Sequence, residues 1–203
     1  MVNETVDTRT ALLEAAIEVI EESGESGFRI SAVLDRVGVA STAIYHHFGS
    51  RDDLVDSANA ERYLRTLYVP NHGDFVDAIA RCETFEEFVA LVRLTIGVSS
   101  TPDATLRRRT RVAVLGSAVS RPTLAAKVHE ANVFYARSMA EAFASAQERG
   151  WIRPDLDLEV MAMWNIGQST GRLMAELGGH VVDIPAWAEL EADTILWALT
   201  GRD

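Results

Sequence analysis

Arg29–Asp53, RISAVLDRVGVASTAIYHHFGSRDD, decides the fold of this 203-residue chain. Ile30, Val33, Leu34 and Val37 fall at i, i+3, i+4 and i+7, one face of a helix about two turns long. Gly38 follows, at a turn where a left-handed backbone costs glycine least. Ser41 is placed to cap a second short helix, on which Ile44 and Phe48, four apart, turn inward against the first. Ser41 and Tyr45 then stack on the outer face, with Thr42 and His46 beside them. Two short helices joined by a tight turn, the second with a compact polar and aromatic face, make a reader that fits the major groove of duplex DNA. A third helix opens at Ser50, with Asp53 completing a capping box. Arg51 lies at its start, where the helix dipole and free N–H groups favour a phosphate and the guanidinium adds a charge-assisted contact.

Composition frames this reading. With 48% apolar and 24% charged residues the chain is globular and long enough to bury a full core. The single Cys82 forms no internal disulfide, which points to a reducing compartment. No secretory leader is visible and no uncharged apolar run reaches the ~18 residues of a membrane span, so the expected location is cytoplasmic, with no membrane partner. The net charge of −11 opposes nucleic-acid binding at first sight. Its distribution matters more. Residues 29–51 hold Arg29, Arg36 and Arg51 against Asp35, a local balance of +2, which leaves −13 on the rest. Grip is therefore scarce.

Elsewhere Pro and Gly punctuate helical periodicity, and no alternating strand pattern persists. Asp7 or Thr8 is expected to cap a first helix carrying Leu12, Leu13, Ala16, Ile17 and Ile20, closed by Gly24 and Gly27. The helix from Ser50 is expected to reach about Tyr68 and to break at Pro70, Asn71 and Gly73. Thr84 with Glu87 and Thr101-Pro102 open two more helices. Arg121-Pro122 opens a long helix to Gly150, and Asp155–Asp157 cap the next. The last helix runs from Asp183-Ile184-Pro185 to Leu199, closed by Gly201. Near residue 50 the helices change from short to long. Segments 157–177 and 183–199 are apolar round much of their circumference, which marks buried helices. Their Met161, Trp164, Leu173, Trp187, Ile195 and Trp197 are expected at an interface between two copies, since a symmetric reader works as a dimer. The plainer alternative is that they fill the subunit's own core.

The pattern of a helix, then Gly38-Val39, then STAIYHHFGSRDDL resembles the N-terminal domain of the TetR family of bacterial transcriptional regulators. The likeness spans roughly residues 8–60 and includes the apolar first helix, Gly27-Phe28, Tyr45, His47-Phe48 and the basic residue at 51. AQERGWIRPDLDLE (146–159) is similar to the family's usual junction before its last core helices. The resemblance implies an all-α fold. An N-terminal three-helix helix-turn-helix DNA-binding domain would span 6–66, with the reader at 29–48. A larger C-terminal helical domain at 67–203 would bind an effector and dimerise. It also implies that Arg29, Ser31, Ser41, Thr42, Ala43, Tyr45, His46, His47 and Arg51 face DNA. Tyr45, His47 and Arg51 would grip, while Thr42, Ala43, His46 and Ser31 would choose bases. Where family members often carry Thr, this chain has Arg29-Ile30, so that phosphate contact falls to Arg29 or Ser31. The family's Lys is Arg51 here. The implied partners are a palindromic DNA operator, a second copy of the chain and a small-molecule effector, with no cofactor. The implied role is a repressor released by that effector.

For the effector the sequence offers Phe88, Leu91, Val92, Leu115, Phe134, Tyr135, Met139 and Trp164. Asn165 and Gln168 join them, because amides among apolar neighbours need partners. These favour an apolar or aromatic compound. Arg107, Arg108, Arg109 and Arg111 form a dense cationic run, read as a solvated helix face of an acidic protein in preference to an anion site. An enzyme or metal protein would need a cluster that is not visible. The histidines at 46, 47, 72, 129 and 180 are scattered, adjacent His46 and His47 point apart on a helix, and no HExxH, phosphate loop or paired-carboxylate motif appears. A helical adaptor with a vestigial reader is the remaining alternative, kept alive by the acidic charge.

Overall fold

The computed structural model describes residues 3–68, 72–98, 101–179 and 181–201, and these are all-α, with no strand among them. Eleven helices follow in order: α1 Asn3–Gly27, α2 Ile30–Val37, α3 Thr42–Phe48, α4 Arg51–Leu67, α5 His72–Arg81, α6 Phe85–Val98, α7 Pro102–Ala118, α8 Pro122–Glu148, α9 Leu158–Gly171, α10 Leu173–Glu176 and α11 Ile184–Thr200. The break expected at Pro70 and Asn71, and the histidine at 180, lie outside the described residues.

The chain divides into two compact units. The first joins Met1–Tyr63 to Val114–His129; the second joins Leu64–Ala113 to Glu130–Asp203. The 6–66 and 67–203 division expected from sequence thus differs at one internal segment, because 114–129 clusters with the N-terminal helices. Helices α4, α7 and α8 each supply residues to both units.

In the first unit Leu12, Ala16 and Ile20 of α1, Phe28, Val33 of α2, Ile44 of α3 and Leu54 and Ala58 of α4 form one core. A polar network adds to it. The Asp56 carboxylate, 3% exposed, accepts from the Arg121 guanidinium and the Thr123 hydroxyl, and Arg121 also pairs with Glu25. Glu25 in turn accepts from Asn59 Nδ2 at 2.8 Å. The second unit packs Ile79, Phe88, Val92, Ile152, Met161, Ile195 and Leu199.

Several expected boundaries move. The first helix begins at Asn3, ahead of Asp7 and Thr8, so neither caps it. Gly24, at φ +70°, interrupts the helix before its end at Gly27. Gly73 lies inside α5, a helix that sequence reading passed over because its turn residues hide its periodicity. The apolar run 157–177 is two helices: Gly171 weakens the first, Arg172 joins them, and α10 stops at Leu177 in extended backbone. Asp157 caps α9 as expected, accepting from the N–H groups of Glu159 and Val160.

Candidate nucleic-acid interface and ligand cavity

The reader is held from beneath. Gly38 adopts φ +73° and its N–H bonds Leu34 O, ending α2 in the left-handed conformation that a side chain would resist. Ile44 is fully buried, and Phe48 packs at the edge of the same core. Ser41 does not cap α3. Its backbone is already helical (φ −57°, ψ −27°), and Ala43 and Ile44 N–H bond the carbonyls of Ala40 and Ser41. An αR backbone turns the hydroxyl away from the N–H groups a cap would serve, so it lies exposed on the outer face.

Arg29, Ser31, Ser41, Thr42, Tyr45, His46 and Arg51 are exposed, while Ala43 and His47 are half-buried. Tyr45 is 60% exposed. The His46 and His47 rings, expected from sequence to point apart, instead meet edge to face at 4.8 Å. Ser50 accepts from Asp53 N–H at 3.0 Å and donates to its carboxylate at 2.8 Å, so the capping box closes onto the serine hydroxyl. Arg51 stands at the first position of α4. Its guanidinium stacks 5.2 Å from the Phe28 ring and bonds Asp52 at 3.0 Å. Arg36, counted in the sequence toward local positive charge, is instead paired with Glu18 and Glu22 of α1. Arg9, overlooked in sequence because it sits 39 residues from Phe48, lies 5.0 Å over that ring and returns a cation to the reader.

The second unit contains two adjoining cavities, or lobes, with six lining residues in common. The first, a cavity of about 90 Å³, is lined mostly by apolar side chains, among them Phe75, Ile96, Met139 and Phe143. The second, of about 100 Å³, is lined by Arg107, Arg108, Arg111, Ser169 and Glu191 among others. Of the residues expected to hold an effector, Val92, Tyr135, Met139 and Asn165 line the first lobe. Burial pushes the Tyr135 phenol up to about 12.

The others do not line either lobe. Phe88 is a fully buried core residue. Leu91 packs against the same core. Leu115 belongs to the first unit. Phe134 is 60% exposed, away from the cavity that Tyr135 lines. Trp164 and Gln168 line a separate shallow groove. Helical period separates these neighbours: residues one apart on α8 or α9 point about 100° away from each other.

The arginine run is not a solvated helix face throughout, as the sequence led one to expect. Arg109 is exposed, but Arg108 and Arg111 are buried, at 1% and 4% exposed. Arg108 Nε lies 3.0 Å from Glu176 Oε2, and Arg172 Nε 3.0 Å from Oε1 of the same carboxylate. Glu176 was not foreseen; a lone acid 68 residues from its partner carries no local signal. Of the expected interface residues, Met161, Leu173 and Ile195 are buried in the protein's own core, Trp187 is half-buried, and Trp164 and Trp197 are exposed. No helix among the described residues is long and apolar enough to cross a membrane.

Residues 12–58 match the family model described as "Bacterial regulatory proteins, tetR family". Across 92% of this chain and 86% of the other, the protein is 26% identical to the HTH-type transcriptional regulator UidR of Escherichia coli. It is 24% identical to the HTH-type transcriptional repressor KstR2 of Mycobacterium tuberculosis, over 75% and 73% of the two chains. Its fold matches a TetR-family transcriptional regulator from Rhodococcus sp. with a TM-score of 0.64 at 20% identity, covering 95% and 96% of the chains. Residues 12–58 are thus a TetR-family N-terminal domain, and the chain shares the fold of TetR-family transcriptional regulators along nearly its whole length.

Proposed function

We propose that this regulator represses transcription as a homodimer on a near-palindromic operator and leaves it when a small molecule fills the two-lobed cavity. The observation that carries the reading is the exposed Ser41–His46 face beside Arg51 at the start of α4. Tyr45, His47, Arg51 and Arg9 grip phosphates, and Thr42, Ala43, His46 and Ser31 meet base edges. With Arg36 committed to α1, one reader has few free cations, and two readers on half-sites about 34–36 Å apart make up the shortfall.

Val160 and Trp164 of α9 and Leu190 and Trp197 of α11 are exposed apolar residues, and Trp164, Gln168, Trp187 and Leu190 share one groove. This surface supports pairing of two copies through α9 and α11. An effector releases the operator only by favouring the DNA-incompetent state; a 100-fold preference supplies about 2.7 kcal/mol. Selection from random duplexes tests the reading. An enriched inverted repeat is expected, and its absence refutes sequence-specific binding.

A further inference from the structure

The two lobes of the cavity differ in chemistry and share a wall made by Leu67, Tyr68, Thr95, Ile96, Tyr135 and Asn165. Beyond that wall one lobe is apolar and aromatic. The other presents three guanidiniums, Arg107, Arg108 and Arg111, and one carboxylate, Glu191, among the described residues. These cations are held in place. Asp103 holds Arg107, and Glu176 holds Arg108. Arg111 donates to the Thr66 hydroxyl at 3.2 Å, to the Thr66 carbonyl and to the Thr170 hydroxyl at 3.0 Å. Guanidinium forks fixed in a low-dielectric recess suit an oxyanion, whose planar oxygens accept paired N–H bonds. An apolar chamber directly beside them, across the shared residues, suits the rest of an amphipathic molecule.

Glu191 is the one acidic group in that lining. Its side chain is 8% exposed, and its Oε2 lies 3.5 Å from Arg172 Nη1, taking no hydrogen bond of good geometry. A buried carboxylate oxygen so poorly satisfied is costly, and the group's charge opposes any anion brought against Arg107 and Arg111. Its presence therefore sets how strongly the site favours an anion.

We infer that the cavity binds an amphipathic organic oxyanion, with its apolar body among Phe75, Met139 and Phe143 and its charged head at Arg107 and Arg111, and that Glu191 limits its affinity for that head. This departs from the apolar or aromatic ligand that the sequence favours, and it rests on the reading of the cavity as the effector site.

Three probes with one body test it on the full chain by calorimetric titration: 4-phenylbutyrate, 4-phenylbutan-1-ol and 4-phenylbutylamine. The acid is expected to bind at least about tenfold tighter than the alcohol, and the amine weakest. Arg107→Gln, at a partly exposed side chain whose loss leaves the core intact, is expected to weaken the acid about tenfold and leave the alcohol unchanged. Glu191→Gln is expected to tighten the acid several-fold without moving the alcohol. A merely structural role moves both probes together. Equal binding of acid and alcohol overturns the inference, as do variants that shift both probes alike or failure of every probe to bind. Operator release is read in parallel. Release by the alcohol alone keeps the effector reading and refutes the anion. Selective binding of the acid without release keeps the anion and refutes the effector reading.

Discussion

Replacing Glu176 by Gln is expected to be among the most damaging conservative changes in this protein. Glu176 is a single carboxylate serving two guanidiniums, those of Arg108 and Arg172, and all three side chains are 97% or more buried. Glutamine keeps the volume, yet it removes the charge and turns an N–H₂ group toward one guanidinium. Breaking a buried pair by removing one partner costs about 3–5 kcal/mol, because the other charge stays buried without compensation. Two cations share the loss here, so the upper half of that range is expected. For a chain of this size it corresponds to a drop in melting temperature of roughly 8–20 °C. Urea titration at fixed protein concentration measures it, followed by tryptophan fluorescence. Trp151, Trp164, Trp187 and Trp197 all lie in the second unit, so the signal reports that unit alone. Arg108→Met is expected to cost less, since Arg172 still neutralises Glu176. The double variant should fall short of the sum by about 1 kcal/mol or more. A loss under about 1 kcal/mol for Glu176→Gln, or strict additivity, refutes the shared-carboxylate argument.

Arg51→Ala is expected to weaken binding to every duplex and to lower the slope of log K against log salt by about one unit, as loss of one phosphate contact requires; an unchanged slope contradicts that role. His46→Ala and Thr42→Ala are expected instead to change which sequence is enriched in duplex selection at a constant slope. Trp164→Glu with Trp197→Glu is expected to give a monomer in sedimentation at micromolar concentration, while circular dichroism stays helical. The two buried acids predict opposite pH slopes. Burial pushes the Glu191 carboxyl above its usual 4.5, with Arg172 and Arg108 pulling against that rise. Its folded form therefore holds the proton more tightly, and stability falls as pH rises above about 4.5. Glu176 is also penalised by burial, yet hydrogen bonding to Arg108 and the nearby Arg172 hold it below 4.5 overall, so its contribution is lost as pH falls below that value. Stability curves of Glu191→Gln against the natural protein should converge near pH 4 and separate upward in favour of the variant; parallel curves refute the assignment.

The reader was legible because its signals are local. Four apolar residues at helical spacing, a glycine in the left-handed turn and an inward pair on α3 lie within twenty residues, and backbone geometry follows from them directly. What sequence reading missed depends on distance along the chain. Arg9 meets Phe48, Glu25 meets Arg121, and Glu176 meets Arg108, each pair brought together only by packing. The cavity was half legible for a related reason. The 3.6-residue period separates one face from another only when the direction of the core is known. Tyr135 and Phe134 are equally apolar neighbours in sequence, yet one lines the cavity and the other is exposed. The arginine run misled because cations on a helix usually face water. Here a carboxylate from α10 and two threonine hydroxyls make burial affordable.

The segment 114–129 has a consequence for how the molecule can be taken apart. Asp56 is buried in the first unit, and its carboxylate accepts from Arg121 and Thr123, which follow it by more than sixty residues. A fragment cut after α4 keeps every residue of the reader but strands that carboxylate without its cation. Such a fragment is therefore expected to be a poor folding unit. Grafting this reader onto another regulator's body would succeed only if the start of α8 travels with it, or if the recipient supplies its own arginine and hydroxyl at the same place.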